Sequence, residues 1–563
     1  MISTINKSEE ANARINELIQ NDFSGGMNLL QEDTSIADNE YRLAFNVRNR
    51  FNNLAQIKKP TDITGALADR GTLQGAYNVG AYLVVFINGE MWYRYATANN
   101  WTQVEGFQMS TTATRIYAKL VPASNQNFLR KLADATDNSA VDIDPSFVIT
   151  GTVRAMLVQD GINQPLIVQQ AENGAPAVRV SQTYAQWGSA SREYVPIGLD
   201  MMEHDGILYT VSPDRKRLYR SVTGRFLDFV INVDSNGDKG GDAETTAYAV
   251  GYDNITAINP VSSESFIVST DGSASYIVTP NRDVTVFGEP TFRRQPLMDT
   301  GALNSFSFVD ILGDNAFIDS KGVKSFNAVL QLMNEGKNSV FSLKVSPAFY
   351  GIIQNSDESA AITFDNYAFF AMNSRYGHTI LAYDILSKTH VCFDSTASIK
   401  VKQFVSLLPF YEKLYCITVD GKIYEMFSSD EYAMASVDTK RISGEKLNQE
   451  QRFSQALCVF TQPIESDGMV TLCPNVDGKF SSGVTKPIKK YPGGILYPAA
   501  YPVTYDNFES PNRINFIASN PRRGWKIGAR IKWSGGAKLT HFMLSNELDT
   551  PMSSSQQRSL TFQ

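Results

Sequence analysis

Between about residue 75 and residue 427, short β-branched and aromatic runs alternate with turns of Gly, Asp, Asn and Pro. The clearest unit is Pro196 to Phe229. It has an apolar approach through Ile197 and Leu199, a polar turn at His204-Asp205-Gly206 and the run Ile207 to Val211. A turn at Ser212-Pro213-Asp214 leads to a second run, Arg217 to Ser221, which ends at Thr223-Gly224. Two such runs across a tight turn predict an antiparallel hairpin. The unit recurs. Ala81 to Phe86 turns at Asn88-Gly89 into Met91 to Tyr93, and Ser265 to Val268 turns at Asp271-Gly272 into Ser275 to Val278. Asn315 to Ile318 turns at Ser320-Lys321-Gly322 into Val323 to Phe326, and Lys413 to Ile417 turns at Asp420-Gly421 into Lys422 to Tyr424. Neighbouring copies return after roughly 50 to 60 residues, which predicts blades of a β-propeller. The wider gaps each leave room for a further blade, and no blade carries a WD-type signature.

Outside this region the pattern changes. Residues 6 to 20 read as a helix with Ala11, Ile15, Leu18 and Ile19 on one face, packed on its own domain or reaching a neighbouring subunit as an arm. Ala37 to Phe45 offers a second short helix starting near Asp38 or Asn39. Phe45 to Arg48 and Leu54 to Ile57 form a hairpin across Asn52-Asn53. Ser124 to Pro145 lacks alternation and reads as an excursion from a blade, with Gln331 to Asn338 as another loop. Asp430 to Gln451 is charged and reads as helix or linker. Strands follow at Phe453 to Phe460, Gly468 to Cys473, Trp525 to Trp533 and Lys538 to Phe542, with a Pro/Gly loop from Tyr491 to Tyr505. The expected protein is therefore mainly β. It has an N-terminal helix and arm (1–60), a β-propeller with loop excursions (61–430) and a C-terminal β-sandwich-like domain with a frayed tail (431–563).

Composition narrows the function. A chain of 563 residues, 43% hydrophobic and 11% aromatic, can fill a large core and a second domain. A net charge of −7 argues against a protein that grips nucleic acid by bulk charge. No apolar run is long enough to span a bilayer and no signal-peptide pattern opens the chain. Cys392, Cys416, Cys458 and Cys473 form no CxxC, so ordinary thiols are expected rather than a zinc site or disulfide framework.

No residue set announces catalysis, and none implies a cofactor. His204, His378, His390 and His541 are dispersed, and GxSxG, Walker A and Rossmann patterns do not occur. The most metal-like spacing is Asp234, Asn236 and Asp238 around Gly237, with alternate oxygens of the kind that wrap calcium. A complete EF-hand Glu is lacking, and a plain Asp/Asn/Gly turn explains the same residues. Ser269-Thr270-Asp271-Gly272 has the start of a sialidase Asp-box without its downstream spacing. Near the C-terminus, Lys526, Gly528, Arg530 and Lys532 share one face of a strand, and Trp525, Ile527, Ala529, Ile531 and Trp533 share the other. That is a wet face and a buried face, favoured here over a nucleic-acid surface.

One further pattern lies in Phe23, Gly25 and Gly26, then Ala44, Asn46, Val47 and Arg50, then Lys58, Lys59 and Pro60. It resembles the opening of the tail nozzle and tail-hub (packaged-DNA stabilisation) proteins of short-tailed phages, the crAss-like group included. Leu218, Tyr219 and Ser221, with Gly224 and Phe229, are similar to theirs, as is Gly240-Gly241-Asp242-Ala243. The likeness covers roughly residues 21 to 330, and Lys58-Lys59-Pro60 stands where the family has Arg-x-Gly. It implies a β-propeller without enzymatic activity in the virion tail, made in the host bacterial cytoplasm. It also implies a homo-hexameric ring that encloses the DNA exit channel and supports genome retention and ejection. The expected partners are adaptor or upper tail ring proteins, fibres or a plug, exiting double-stranded DNA in passing, and the host surface. The alternatives are a propeller adhesin recognising a host glycan or protein, and a propeller glycan hydrolase.

Overall fold

The structure, a computed structural model, describes residues 15–50, 52–124, 152–170, 176–182, 185–187, 191–193, 195–221, 226, 248–249, 253–271, 275–280, 292–298, 300–326, 341–395, 399–408, 410–444, 449–461, 466–490, 512–518 and 523–548. The chain is nearly all β, and most of it is built from small antiparallel sheets that follow one another in sequence.

Seven of these sheets, among the described residues, form a closed ring. Blade 1 is Leu73–Val79, Tyr82–Ile87, Glu90–Tyr95 and Thr102–Gln103. Blade 2 is Tyr117–Ser124, Thr152–Gln159, Leu166–Gln170 and Pro176–Gln182. Blade 3 is Met201–His204, Ile207–Val211, Arg217–Arg220 and Tyr248–Ala249. Blade 4 is Ile255–Pro260, Phe266–Thr270, Ser275–Pro280 and Phe292–Met298. Blade 5 shows three strands, Phe308–Ile311, Asp314–Asp319 and Gly322–Ser325. Blade 6 is Ala360–Phe364, Tyr367–Ser374, Gly377–Asp384 and Thr389–Asp394. Blade 7 is Val401–Ser406, Leu414–Thr418 and Ile423–Glu425, completed by Thr61–Asp62 from the other end of the chain. First strands pack in succession from blade 1 to blade 4. The short Ser305–Ser307 turn leads into blade 5 beside blade 4, and blades 5, 6 and 7 follow until blade 7 meets blade 1. The expected propeller is thus present, and its ring is closed by an N-terminal strand.

The hairpins form where the sequence places them, for a local reason. Asn88 and Gly89, Asp205 and Gly206, Leu312 and Gly313, and Asp365 and Asn366 all have positive φ. That is the two-residue turn whose twist matches the flanking strands. Second strands such as Ile207–Val211 and Phe266–Thr270 are buried at every position, because a neighbouring blade covers each face. The two wide gaps hold blade 2 and blade 6.

Besides the two-stranded pairs Gly26–Met27 with Glu40–Tyr41 and Ala185–Trp187 with Ser191–Glu193, the remaining described strands form two larger sheets. In one, blade 6 continues through a parallel contact of Phe393 with Phe45 into Leu43–Phe45, Ala435–Asp438, Lys526–Trp533 and Gly468–Val476. The other is ordered Asn512–Ile517, Gln451–Thr461, Lys538–Leu548, Asn53–Gln56, Val47–Arg50, and Ile15–Gln20 adds to Lys538–Leu548. Side chains from both meet in one core that includes Phe460, Leu544, Ile531 and Trp533.

Three expectations are corrected. Residues 15–20 are a strand and not a helix: Leu18 and Gln20 point inward, while Ile15 and Ile19 are exposed, and pairing with Phe542 to Glu547 decides the conformation. Residues 6–14 lie outside the described residues. The helix expected over Ala37 to Phe45 is a turn followed by Glu40–Tyr41 and Leu43–Phe45, each paired in a sheet. The charged stretch after Asp430 supplies Ala435–Asp438 and Ile442–Ser443, again strands. The excursion at 125–145, the loop at 331–338, the segment 491–505 and the tail from Asp549 lie outside the described residues.

Candidate functional site

The N-terminal motif converges on the place where blade 6 joins the second pair of sheets. Phe23 is fully buried beside Tyr41, with ring centroids 6.3 Å apart, and its carbonyl accepts from Asn49 Nδ2 at 2.9 Å. Gly25 N–H donates to the Asn39 carbonyl at 3.1 Å. Gly26 has φ 73°, and a Cβ there would stand 2.6 Å from the His390 carbonyl oxygen of blade 6. Only glycine permits that approach. Asn46, at φ 58°, ties three segments together. Its N–H donates to Phe393 O at 3.1 Å, its Nδ2 donates to Met434 O at 2.8 Å, and its Oδ1 accepts from Ser395 N at 2.9 Å. Asn and Gly suit these positions because positive φ costs them little.

Two residues away is the strongest polar contact of the junction. Arg48 is buried and donates from both Nη atoms to the Asp394 carboxylate, at 2.8 and 2.5 Å. Its guanidinium lies 4.9 Å from the Phe369 ring centroid, 5.0 Å from Phe427 and 5.4 Å from Tyr367. Burial opposes its charge, but Asp394 outweighs burial and holds the guanidinium above its usual pKa. Sequence reasoning named Arg50 and passed over Arg48, since its partner lies in blade 6.

The blade 3 residues are structural in a simpler sense. Leu218 pairs with Val211 and is buried, Tyr219 packs at the edge of the core between blades 2 and 3, and Ser221 accepts at Oγ from Leu208 N at 2.9 Å. Asp234, Asn236 and Asp238 lie outside the described residues. No group of three or more potential metal ligands occurs among the described residues.

Side chains cross the propeller axis. Phe306, which leads into blade 5, stacks on Tyr117 of blade 2 at 6.1 Å and meets Tyr77 of blade 1 edge-on at 6.2 Å. In a ring of seven the fifth position lies opposite the first two, so this ring crosses the axis. Arg115, leading into blade 2, stands 5.0 Å from the same ring and donates to Ser356 O at 3.0 Å, ahead of blade 6. Asp200, ahead of blade 3, accepts from Ser305 Oγ, and burial pushes its carboxyl up to about 7. Lys402 of blade 7 donates to the carbonyls of Leu73 and Thr114, both at 2.8 Å, and burial lowers its pKa to about 8. These displaced groups tie blades to one another.

The histidines have local roles too. His378 Nε2 accepts from Val401 N at 3.1 Å, and burial lowers its pKa to about 4. Burial takes His390 down to about 3. The four cysteines are unpaired, and all but Cys473 are buried. On the C-terminal strand Ile527, Ala529, Ile531 and Trp533 are buried as expected, whereas Trp525 is exposed. Arg530 holds Asp438 through two bonds of 2.5 and 2.6 Å and stacks on Phe480, and Lys526 pairs with Glu32.

The fold and this junction define a β-propeller locked to a second β unit. No family model and no curated protein matches the chain. Among solved structures it is similar to one described as "YCF48 bound to D1 peptide". The TM-score is 0.37 at 9% identity, covering 69% of this chain and 99% of that one. It is also similar to "Crystal Structure of Mitotic Checkpoint Complex", with a TM-score of 0.33 at 8% identity, covering 66% and 95%. Values this low carry no functional weight, and the propeller stands on its own strand pairings.

Proposed function

We propose that the chain is a structural, non-enzymatic subunit of a phage tail, of the nozzle, hub or muzzle type. Copies of it form a ring, six by the family resemblance, around the path of the departing DNA. It is made in the bacterial cytoplasm and resides in the virion tail, against an adaptor or upper tail ring and fibres or a plug. The observation that carries this reading is the junction. Of the residues of the resemblance, Gly26 and Asn46 meet blade 6 directly, and Phe23 and Gly25 order the segment that carries them, so that propeller and second β unit are joined as a ring wall requires. An axis crossed by side chains supports a lumen between subunits rather than through the blades. A net charge of −7 supports a wall over which phosphates slide.

The test is electron microscopy of the purified chain, alone and with other tail components, together with DNA binding at two salt concentrations. Rings are expected, with weak DNA binding of shallow salt dependence. A chain that stays monomeric under all these conditions overturns the proposal. So does one that binds duplex DNA tightly and loses that affinity by orders of magnitude between about 50 and 200 mM salt.

A further inference from the structure

A polar cleft of about 880 Å³ opens on one face of the propeller. Its rim comes from the turns between second and third strands of blades 3, 4 and 5, at Arg215, Asp271 and Lys321. The segments that run into the first strands of blades 4, 5 and 6 add Asn254, Thr300 and Asn355. In an antiparallel blade both kinds of connection fall at the same end of the sheet, so four successive blades contribute to one surface. The volume lies within the range of about 300–1,000 Å³ common to small-ligand sites.

Its carboxylates are already engaged. Asp271 accepts from Asn254 N at 2.9 Å and Asn254 Nδ2 at 2.7 Å. Asp319 accepts from Thr300 Oγ1 and Lys321 N, both at 2.7 Å, and from Lys324 Nζ at 2.9 Å. Gln354 is held at both ends by the backbone of Asn373, at 2.8 and 2.9 Å. Asn355 Oδ1 accepts from Asp357 N at 3.0 Å. Among the described residues the cleft also holds donors that make no side-chain hydrogen bond or ion pair: the Arg215 guanidinium, which feels the Asp200 carboxylate only through space, the Lys321 ammonium and Asn355 Nδ2. A surface whose carboxylates are satisfied and whose spare donors include a guanidinium and an ammonium favours an anion. The hydroxyls of Thr300 and Ser320 keep acceptor lone pairs for a polyhydroxylated partner. Among these lining residues the large apolar side chain most open to solvent is Ile353, which stands 87% exposed and offers no pocket for the apolar anchor a peptide needs.

We propose that this cleft binds an acidic oligosaccharide, with Arg215 and Lys321 on its carboxylate and the Thr/Ser/Asn rim on its hydroxyls. This function is independent of ring formation. Isothermal titration of the full chain with tetragalacturonate, maltotetraose and hexaglutamate tests it. Saturable binding of tetragalacturonate alone is expected, weakened about tenfold or more in the Arg215→Gln/Lys321→Gln double variant with its melting temperature unchanged. If the double variant fails to fold, Lys321→Gln alone carries the test, since Lys321 is exposed, and a loss of about threefold is expected. Absence of saturable binding, or full affinity in the variants, overturns the proposal. So does hexaglutamate binding as tightly with the same loss, which would make the cleft an acidic-peptide site.

Discussion

Changing Asp394 to Asn tests whether the buried ion pair holds the two β units together. The substitution keeps the side chain's shape and removes its charge, leaving the Arg48 guanidinium among Tyr367, Phe369 and Phe427 with no counter-ion. Side-chain exposure is 11% for Arg48 and nil for Asp394, so water cannot replace the lost partner. Removing one member of such a pair costs about 3–5 kcal/mol. Since about 1.4 kcal/mol is a factor of ten, the segment Leu43 to Gln56 should open about a hundred- to several-thousand-fold more often. Hydrogen exchange reads that opening directly, at the amides of Val47–Arg50 and Asn53–Gln56, without assuming that so large a chain unfolds in one step. The double variant Arg48→Met/Asp394→Leu removes both charges and should recover most of the protection, because a buried pair gains little over well-packed apolar groups. Protection in Asp394→Asn within about 1 kcal/mol of the parent would refute this reasoning. A double variant as open as the single would do the same.

Gly26→Ala should destabilise the same junction by about 1–3 kcal/mol, from positive φ and the collision with the His390 carbonyl, and a lowered urea midpoint would register it. Asp200 gives a pH signature. Its folded pKa of about 7 lies above the ordinary 3.8, so its contribution is complete below about pH 4 and is lost as pH rises through 7. Asp200→Asn should therefore flatten the decline in urea midpoint between pH 5 and pH 8, and an unchanged slope would assign the decline elsewhere. Deleting residues 1–20 strips Ile15–Gln20 from Lys538–Leu548 and bares an edge strand, so concentration-dependent aggregation is expected in light scattering.

The hairpins were legible because their signals are local: Asn88-Gly89 and Asp205-Gly206 fix the turn, and alternation in the flanking runs fixes the strand. Blade 6 was not. Its second strand, Tyr367–Ser374, has seven of its eight residues buried, and a continuous apolar run does not distinguish strand from buried helix. The N-terminal strand misled for the opposite reason. Ile15, Leu18 and Ile19 fit helical spacing, yet Ile15 and Ile19 are exposed and polar Gln20 is buried beside Leu18, donating to Glu40 O at 2.9 Å. The motif glycines were visible as a pattern, whereas their purpose was not, since His390, Phe393 and Met434 lie more than 340 residues away. Arg48 and Phe306 left no local trace at all. A charged residue in a strand reads as solvent-facing, and a phenylalanine before a strand reads as core.

The way the two ends of the chain are stitched together also sets a timetable. Residues 43–56 belong to sheets whose other strands come from residues 15–20, 360–394 and 435–548, and Thr61–Asp62 seals a ring whose last blade ends at Glu425. The ribosome delivers these early residues first and most of their partners last. At about 5–20 residues per second, an interval of roughly 25–100 s separates them. Until then Phe23, Tyr41, Val47 and Leu54 lack part of the core they enter, while blades 1 to 6 can close one after another as each hairpin emerges. A chain cut short before the last strands displays its incompletely buried N-terminal segment for as long as it survives. Incomplete copies are thereby exposed to chaperones and proteases before they can be built into anything larger.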